Sequence, residues 1–231
     1  SESYHIPRIG IRDLCWPDSP VSKFDPDLAV KMGWSSLFSE VVDFRVDSNR
    51  SINKLKGELG IGDNSWYVCL HVRESGFKKD KGRNEYRNHN VDNYMMAIEY
   101  ITSLGGYVVR LGDASMKKLP PNPLLIDYPF TQYKSDLNDV LLIQGCEFYI
   151  GCQSGIFGVA AMFGKKTLLI NMFQTVTGVP QRECDRGIMK HIYSIKLKRY
   201  LSVEEVFLGG EDKVNLDWIV FGENYKFIEN S

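Results

Sequence analysis

The chain has 231 residues, of which 43% are hydrophobic and 12% aromatic, and this composition excludes a disordered or fibrous protein. Its 28 Lys and Arg residues nearly balance 29 Asp and Glu residues, leaving a formal charge of -1, so we expect no nucleic acid partner. The longest apolar runs, at 140–143 and 167–170, are too short to cross a bilayer, and we expect no transmembrane segment. The length fits one large domain or two small ones.

Residues 1–64 are polar and irregular, and they are predicted to form an N-terminal segment distinct from the rest. Turn signals rich in Pro and Asp occur at 16–20 and 25–27. One helix is predicted behind Asp27 and another over 52–59, neither with a long apolar stripe. We expect this segment to be an appendage, or the partial acceptor-side region of a neighbouring domain. Because the chain opens on Ser1 rather than Met, we also expect an upstream part to be missing.

From residue 65 to 231, short strand-like runs alternate with helical patterns. Strands are predicted at 66–72, 107–111, 124–128, 147–151 and 166–171. Helices are predicted from Val91 to Leu104, from an N-cap at Ser135 to Cys146, and over 156–163. Such alternation with short links predicts an α/β fold with an open parallel sheet and helices on both faces. Ligands bind such sheets where strand carboxyl ends meet helix amino ends.

The last part of the chain has a weaker pattern. Strands are predicted over 191–195 and 225–228, with a short helix over 202–207. Asn230 and Ser231 resemble the N-cap of a helix that is absent from the sequence, so we expect truncation at this end as well.

Five cysteines are scattered along the chain without a CxxC pair, and they are Cys15, Cys69, Cys146, Cys152 and Cys184. This pattern argues against a disulfide framework and against a zinc site. It favours a reducing, cytoplasmic location.

The first candidate site lies at the end of the strand over 66–72. His71 and Arg73 are two residues apart, so both are expected to project from one face of the strand. A guanidinium there can hold two phosphate oxygens by bidentate hydrogen bonds. Glu74 can orient Arg73 or accept a proton. The alternative is a solvated loop in which Arg73 pairs with Glu74.

The second candidate site lies between the strand over 147–151 and the apolar helix after it. Free N–H groups at a helix start, together with the Ser154 hydroxyl, form an anion site that includes Gln153. Gly155 would let a diphosphate approach the backbone closely. The sequence is neither GxxxxGK[ST] nor GxGxxG, and an ordinary capped turn is the alternative.

The third candidate site is the run from Arg110 through Gly112 to Asp113, at the end of the strand over 107–111. Asp113 can cap the next segment or accept a ribose or sugar hydroxyl, and a turn residue without a ligand is the alternative. Arg87 lies in a polar loop over 78–90, which is either solvated or able to close over a phosphate. At 134–136 the next helix begins, and its acidic residues favour the helix dipole.

Taken together, these motifs show a resemblance that no one of them would show. Residues 66–175 resemble a group of bacterial glycosyltransferases whose shared pattern includes HVRESG at 71–76, YRN at 86–88, VDNY at 91–94, RLGD at 110–113, IDY at 126–128, YKSD at 133–136 and FYIG at 148–151 running to Ser154 and Gly155. More distantly, His71 and Arg73 resemble the corresponding strand end of nodulation and protein O-fucosyltransferases. The helix after Ser154, together with the residues at 163–167, is similar to the donor site of heptosyltransferase-type enzymes.

The resemblance implies a GT-B glycosyltransferase, with a Rossmann-like nucleotide-sugar domain at 65–231 and with no metal and no cofactor besides the donor substrate. Arg73 would hold the diphosphate and His71 would shape the crevice, while Glu74 or Asp113 would orient or deprotonate the acceptor hydroxyl. Further contacts with the nucleotide sugar are implied for Arg87, Arg110, Gly112, Lys134, Ser135, Gln153, Ser154 and Gly155.

The sequence departs from the fucosyltransferases because it has one arginine where they carry an adjacent pair, which argues against a fucose donor. Its 231 residues are also too few for two full domains. The leading hypothesis is transfer of a sugar from a nucleotide-diphosphate donor to a glycan acceptor in bacterial surface polysaccharide synthesis, in the cytoplasm or at the inner membrane face, with other domains of a longer protein as possible partners. The alternatives are a non-catalytic nucleotide or sugar-phosphate binding module of a larger synthase, and a nucleotide-sugar epimerase.

Overall fold

A computed structural model describes residues 48–76, 87–172, 184–202, 205 and 224–230, without the side chains of 48–51. The helices are α1 (Ser48–Glu58), α2 (Met95–Ser103), α3 (Asp136–Gly145) and α4 (Gly155–Met162), with 3₁₀ turns at Val91–Tyr94 and Tyr128–Phe130. The main strands are β1 (Tyr67–His71), β2 (Tyr107–Leu111), β3 (Leu125–Asp127), β4 (Phe148–Gly151), β5 (Lys166–Met172) and β6 (Arg186–Met189). The helix predicted behind Asp27, most of the helix predicted over 202–207, Tyr86 and Cys15 lie outside these residues.

The six main strands form one sheet in the order β3-β2-β1-β4-β5-β6, and every neighbouring pair is parallel. This is the strand order of a Rossmann-like sheet, in which the chain starts at the centre and builds outward in both directions. The prediction of an α/β fold with an open, parallel, Rossmann-like sheet is therefore confirmed.

The helices cover both faces of this sheet. Alternate residues of β1 point to opposite sides, so Cys69 packs with α1, α3 and α4, while Val68 packs with α2. The connection from β1 to β2 through α2 and the connection from β4 to β5 through α4 run in opposite directions across the sheet. Right-handed crossovers that run in opposite directions must lie on opposite faces, and this explains the two layers.

Helix α1 packs on the sheet although it precedes β1 in the chain. Leu55 and Ile61 are almost completely buried in the same apolar cluster as Cys69. Lys56 donates hydrogen bonds to the carbonyl oxygens of Asp63 (2.9 Å) and Ser65 (3.1 Å), which fixes the turn between α1 and β1. The division of the chain into 1–64 and 65–231 stays a prediction, and α1 packs as part of the same unit as the sheet.

A second, smaller sheet follows β6. It contains β7 (His191–Ser194), β8 (Arg199–Tyr200) and β9 (Tyr225–Ile228), which are antiparallel in the order β8-β7-β9. Ile192 is buried on its inner side against Phe227. The strands predicted over 191–195 and 225–228 are confirmed. Among the helices that the structure describes, none is both long and apolar enough to span a membrane.

Candidate functional site

The strand order of the main sheet reverses between β1 and β4, and this reversal creates the candidate site. The chain leaves β1 towards β2 on one face and leaves β4 towards β5 on the other, so the two loops diverge above the sheet edge. His71 and Gly151 are register partners at this point. We call the space between residues 71–74 and 151–155 the switch crevice, since ligands of such sheets bind at this topological position.

The two loops of the switch crevice are bonded to each other. The Cys152 N–H donates to the His71 carbonyl oxygen at 3.2 Å, and the Arg73 N–H donates to the Cys152 sulfur at 3.2 Å. The Ser154 hydroxyl lies 3.2 Å from Nδ1 of His71. The residues predicted for the first and second sites therefore lie together.

His71 is a neutral imidazole in a cationic setting. Burial lowers its pKa from 6.5 to about 4, and the charges of Arg110, Arg73 and Lys134 act in the same direction, while Asp113 acts against them. The ring is therefore uncharged at neutral pH, and its Nδ1 can form one hydrogen bond with the Ser154 hydroxyl, as donor or as acceptor according to the tautomer. The surrounding cations disfavour a positive charge on the His71 ring, and for the same reason they would favour an anion bound beside it.

The start of α4 is open towards the switch crevice. Ser154 is the N-cap residue with extended backbone, φ -145 and ψ 168, but its side chain makes no capping hydrogen bond. Gly155 is exposed, and a Cβ built on it would meet nothing within 4 Å. Because the first N–H groups of a helix lack acceptors within the helix, this end can bind an anion.

Arg87 brings a further cation to the edge of the switch crevice. Its Nη2 donates to the Gln153 carbonyl oxygen at 3.2 Å, while its Nε is buried and makes no hydrogen bond. The segment that carries it is held to the loop after β1, because the His89 N–H donates to the Arg73 carbonyl oxygen at 2.9 Å. The Arg87 guanidinium therefore contacts the backbone of the second loop of the crevice.

Arg110 lies beneath the site and is completely buried. Its guanidinium is paired with Glu74 and with Asp127, the latter at 3.0 Å, and it donates to the Lys117 carbonyl oxygen at 2.6 Å. The second oxygen of Glu74 accepts from the Lys117 N–H at 2.8 Å. Arg110 was expected among the ligand contacts, but this burial leaves it no exposed surface, so its position gives it a supporting role. We call these four residues the Arg110 network.

Gly112 and Asp113 form the turn after β2. The φ of Gly112 is +145, a backbone conformation that residues with a side chain rarely adopt, so the turn favours glycine. Asp113 accepts the Ser115 N–H on Oδ1 at 2.8 Å, which is the turn role considered for it. Its negative charge also acts on His71, whose register partner in β2 is Leu111, two residues before Asp113.

Lys134 and Ser135, at the start of α3, both contact other residues of the chain. Ser135 is the N-cap, as predicted, and its hydroxyl accepts the Asn138 N–H at 3.2 Å. Lys134 is paired with Asp139 and lies 5.6 Å from the centre of the Tyr128 ring. The Lys134 side chain keeps 24% of its surface exposed.

Sequence reasoning missed the side chain of Tyr149 as part of the site. This residue of β4 is fully buried, and its hydroxyl makes no hydrogen bond. Burial raises its pKa well above the usual range, and its hydroxyl lies against Gly151 of the switch crevice. A tyrosine two residues before a glycine at a strand end is a weak signal, because an apolar core ring produces the same pattern.

No group of three or more His, Cys, Asp or Glu side chains within the described residues could hold a metal ion. The sequence-based expectation of a metal-free site stays a prediction.

Fold and site together define a doubly wound α/β domain with a crevice suited to anions. No protein-family model and no curated protein sequence matches the chain. Part of it is similar in structure to a glycosyl transferase family 9 protein from Veillonella parvula, with 11% identity and a TM-score of 0.47 over 64% of this chain and 41% of that one.

Two other solved structures are similar over part of the chain. One is the ADP-heptose LPS heptosyltransferase II of E. coli, with 15% identity and a TM-score of 0.46 over 61% of this chain and 43% of that one. The other is KpsC of Thermosulfurimonas dismutans, a beta Kdo 2,4 transferase, with 13% identity and a TM-score of 0.39 over 75% and 58%. The chain thus spans about half the length of these proteins.

Proposed function

We propose that the chain is the nucleotide-sugar-binding part of a glycosyltransferase that moves a sugar from a nucleotide-diphosphate donor to a glycan acceptor. The observation that carries the proposal is the switch crevice, where a strand end with Arg73 and the open start of α4 are bonded together through His71 and Ser154. Synthesis of a bacterial surface polysaccharide, in the cytoplasm or at the inner membrane face, is the setting that we propose for this reaction.

In the proposed reaction, the acceptor oxygen attacks the anomeric carbon and the bond from that carbon to the diphosphate breaks. The acceptor loses its proton, and the electron pair of the broken bond leaves with the diphosphate. Arg73 and Arg87 neutralise this growing negative charge, and the first N–H groups of α4 with the Ser154 hydroxyl donate hydrogen bonds to it. Donors fixed by the fold need no rearrangement as the charge develops, and this is why such a site requires no metal.

Two carboxylates are candidates for the group that accepts the acceptor's proton. Glu74 has both carboxylate oxygens engaged, one with Arg110 and one with the Lys117 N–H. Asp113 uses Oδ1 in its turn, and its negative charge acts on His71. We therefore favour Asp113 over Glu74 as the group that binds or deprotonates the acceptor hydroxyl.

The proposal is tested by incubating the full chain with a panel of nucleotide sugars and candidate glycan acceptors, with mass spectrometry of the products. A glycosyltransferase releases the nucleoside diphosphate and lengthens the acceptor, and Arg73→Ala should remove this activity. Arg199→Ala is the matched control, because Arg199 is an exposed arginine on the second sheet, paired with Glu205.

Two other outcomes would contradict sugar transfer. Binding of nucleotide sugars without any turnover would favour a non-catalytic module of a larger synthase. Release of an altered nucleotide sugar in the absence of an acceptor would favour an epimerase.

A further inference from the structure

The small sheet formed by β7, β8 and β9 has two different faces. Ile192 and Ser194 point inward and are buried. Successive residues of a strand point to opposite faces, so His191 and Tyr193 of β7 point outward. Residues that are register partners share a face: Tyr193 is paired with Tyr200 and with Lys226, and His191 is paired with Ile228. The outer face is therefore made of His191, Tyr193, Tyr200, Lys226 and Ile228.

This outer face exposes apolar and aromatic side chains. Tyr200 is 54% exposed and Ile228 is 38% exposed. The Tyr200 ring contacts the rings of Tyr193 and His191 edge to face, with centroids 5.4 and 5.8 Å apart. Adjacent large side chains that pack on one another at the surface form a patch, and such patches mark interaction sites.

The turn from β7 to β8 also exposes apolar side chains. At 195–198 it reads Ile, Lys, Leu, Lys, so apolar and basic side chains alternate. Ile195 is 41% exposed and Leu197 is 49% exposed, with Lys196 and Lys198 exposed beside them. The outer face adds Lys226, which is also exposed.

The backbone holds this turn in a fixed shape. The Leu197 N–H donates to the hydroxyl of the buried Ser194 at 3.2 Å, and the Ile195 N–H donates to the Asn224 carbonyl oxygen at 2.8 Å. Ordering of the turn therefore costs little when Ile195 and Leu197 enter an apolar environment.

Composition distinguishes the kind of partner that this surface fits. The buried centre of a protein–protein interface is depleted of lysine, because a lysine must give up its hydration there. A membrane interface favours lysine and tyrosine beside apolar residues, because their apolar parts enter the acyl boundary while their polar ends stay in the headgroup layer. Lys196, Lys198 and Lys226 complement anionic headgroups, whereas the charge of Arg199 is compensated by Glu205 at the side of the patch.

We propose that the turn at 195–198 and the outer face of the small sheet bind the surface of an anionic membrane. Ile195 and Leu197 insert below the headgroups, and the three lysines contact lipid phosphates. This inference does not depend on the proposed sugar transfer, since it rests on a different part of the molecule.

The test is co-sedimentation of the full chain with vesicles of phosphatidylcholine, with and without phosphatidylglycerol, at low and at high salt. We expect binding to the anionic vesicles alone and a loss of binding at high salt. Lys196→Glu and Lys226→Glu should each weaken binding at least about fivefold, because one basic residue near an anionic surface contributes roughly that factor. Leu197→Ser should weaken it as well, by the loss of apolar insertion.

Matched controls separate the patch from general effects of charge or apolar surface. Met96→Ser removes an apolar residue that is 77% exposed on α2, and Lys54→Glu reverses a lysine whose side chain is 78% exposed on α1. Both controls should bind vesicles as the unchanged chain does, with the same circular dichroism spectrum.

Equal binding to neutral and anionic vesicles, or an equal effect of the controls, would overturn the proposal. It would also be overturned if the chain bound no vesicles, or if Leu197→Ser instead separated a dimer into monomers in size-exclusion chromatography. The latter result would make the patch a contact between two copies.

Discussion

At the end of β4, Gly151 lies directly against the backbone of β1. A Cβ on this residue would be 2.6 Å from the His71 carbonyl oxygen and 2.6 Å from the Tyr149 hydroxyl. The carbonyl oxygen cannot move without separating the two strands, so Gly151→Ala should destabilise the chain by about 1–3 kcal/mol, as overpacking does. Chemical denaturation measures this change.

The matched control for that substitution is Gly158→Ala. Gly158 lies in α4, and a Cβ there would meet nothing within 4 Å. Alanine also favours the helix over glycine, so Gly158→Ala should leave the stability equal or slightly raise it. Equal losses for the two substitutions would show that the space at Gly151 is not tight.

The Tyr149 hydroxyl leads to a second prediction for a single residue. It is buried without a hydrogen bond, so the fold bears the cost of removing it from water. Tyr149→Phe keeps the ring and removes that cost. We expect the free energy of unfolding to stay the same or to increase by about 1 kcal/mol, as urea denaturation would measure. A decrease would mean that the hydroxyl has a partner in solution.

Among the structural elements, the loops after β1 and β2 depend on each other through the Arg110 network. Arg110→Met would leave Glu74 and Asp127 without their buried counter-charge, and breaking such a pair costs about 3–5 kcal/mol. Adding Glu74→Gln should recover part of this loss, because the uncompensated charge is then removed. Arg199→Met is the control on an exposed pair and should change stability little. If the double variant were no more stable than Arg110→Met, charge compensation would not explain the role of Arg110.

Most elements of the sheet could be predicted from local patterns, and the exceptions depend on particular hydrogen bonds. The apolar period over 91–104 predicts one helix, but the segment begins as a 3₁₀ turn because the Asn90 side chain accepts the Asp92 N–H at 3.0 Å. Glu229 also accepts the Asn90 N–H at 3.0 Å. A contact between residues so far apart in the chain leaves no periodic signal, so the sequence could not reveal it.

The candidate site was predictable in its position and only partly in its roles. The carboxyl ends of parallel strands lie at the same edge of a sheet, so the proximity of His71 to Ser154 is a consequence of the fold class. The sequence could not distinguish Arg73 from Arg110 by burial. Each lies near the end of a strand, and each has an acidic residue close to it in the chain, Glu74 and Asp113 respectively. Arg110 becomes a support only when β3 brings Asp127 beside it.

For the whole molecule, two histidines make stability dependent on pH. Burial lowers the pKa of His71 to about 4 and that of His89 to about 3, from 6.5. Between these values and 6.5 the unfolded chain binds more protons than the folded chain, so the free energy of unfolding falls as pH decreases. Each group contributes up to about 1.4 kcal/mol per pH unit. Asp139, whose pKa is raised by burial, acts in the opposite direction.

Urea denaturation at neutral pH and at about pH 5 measures this dependence. His71→Gln should reduce the difference between the two conditions, whereas His191→Gln should not, because His191 is exposed on the small sheet. Equal stability at both values of pH would contradict the burial of neutral histidines.

The central claim is that the switch crevice binds the diphosphate of a nucleotide sugar, and isothermal titration calorimetry with a panel of nucleoside diphosphates tests it most directly. We expect one nucleoside diphosphate to bind with a stoichiometry of one. Binding should be lost or weakened about tenfold or more in Arg73→Ala, which removes a charge-assisted bidentate contact, and kept in Arg199→Ala. If no nucleoside diphosphate bound, or if Arg73→Ala bound one as tightly as the unchanged chain, the claim would be contradicted.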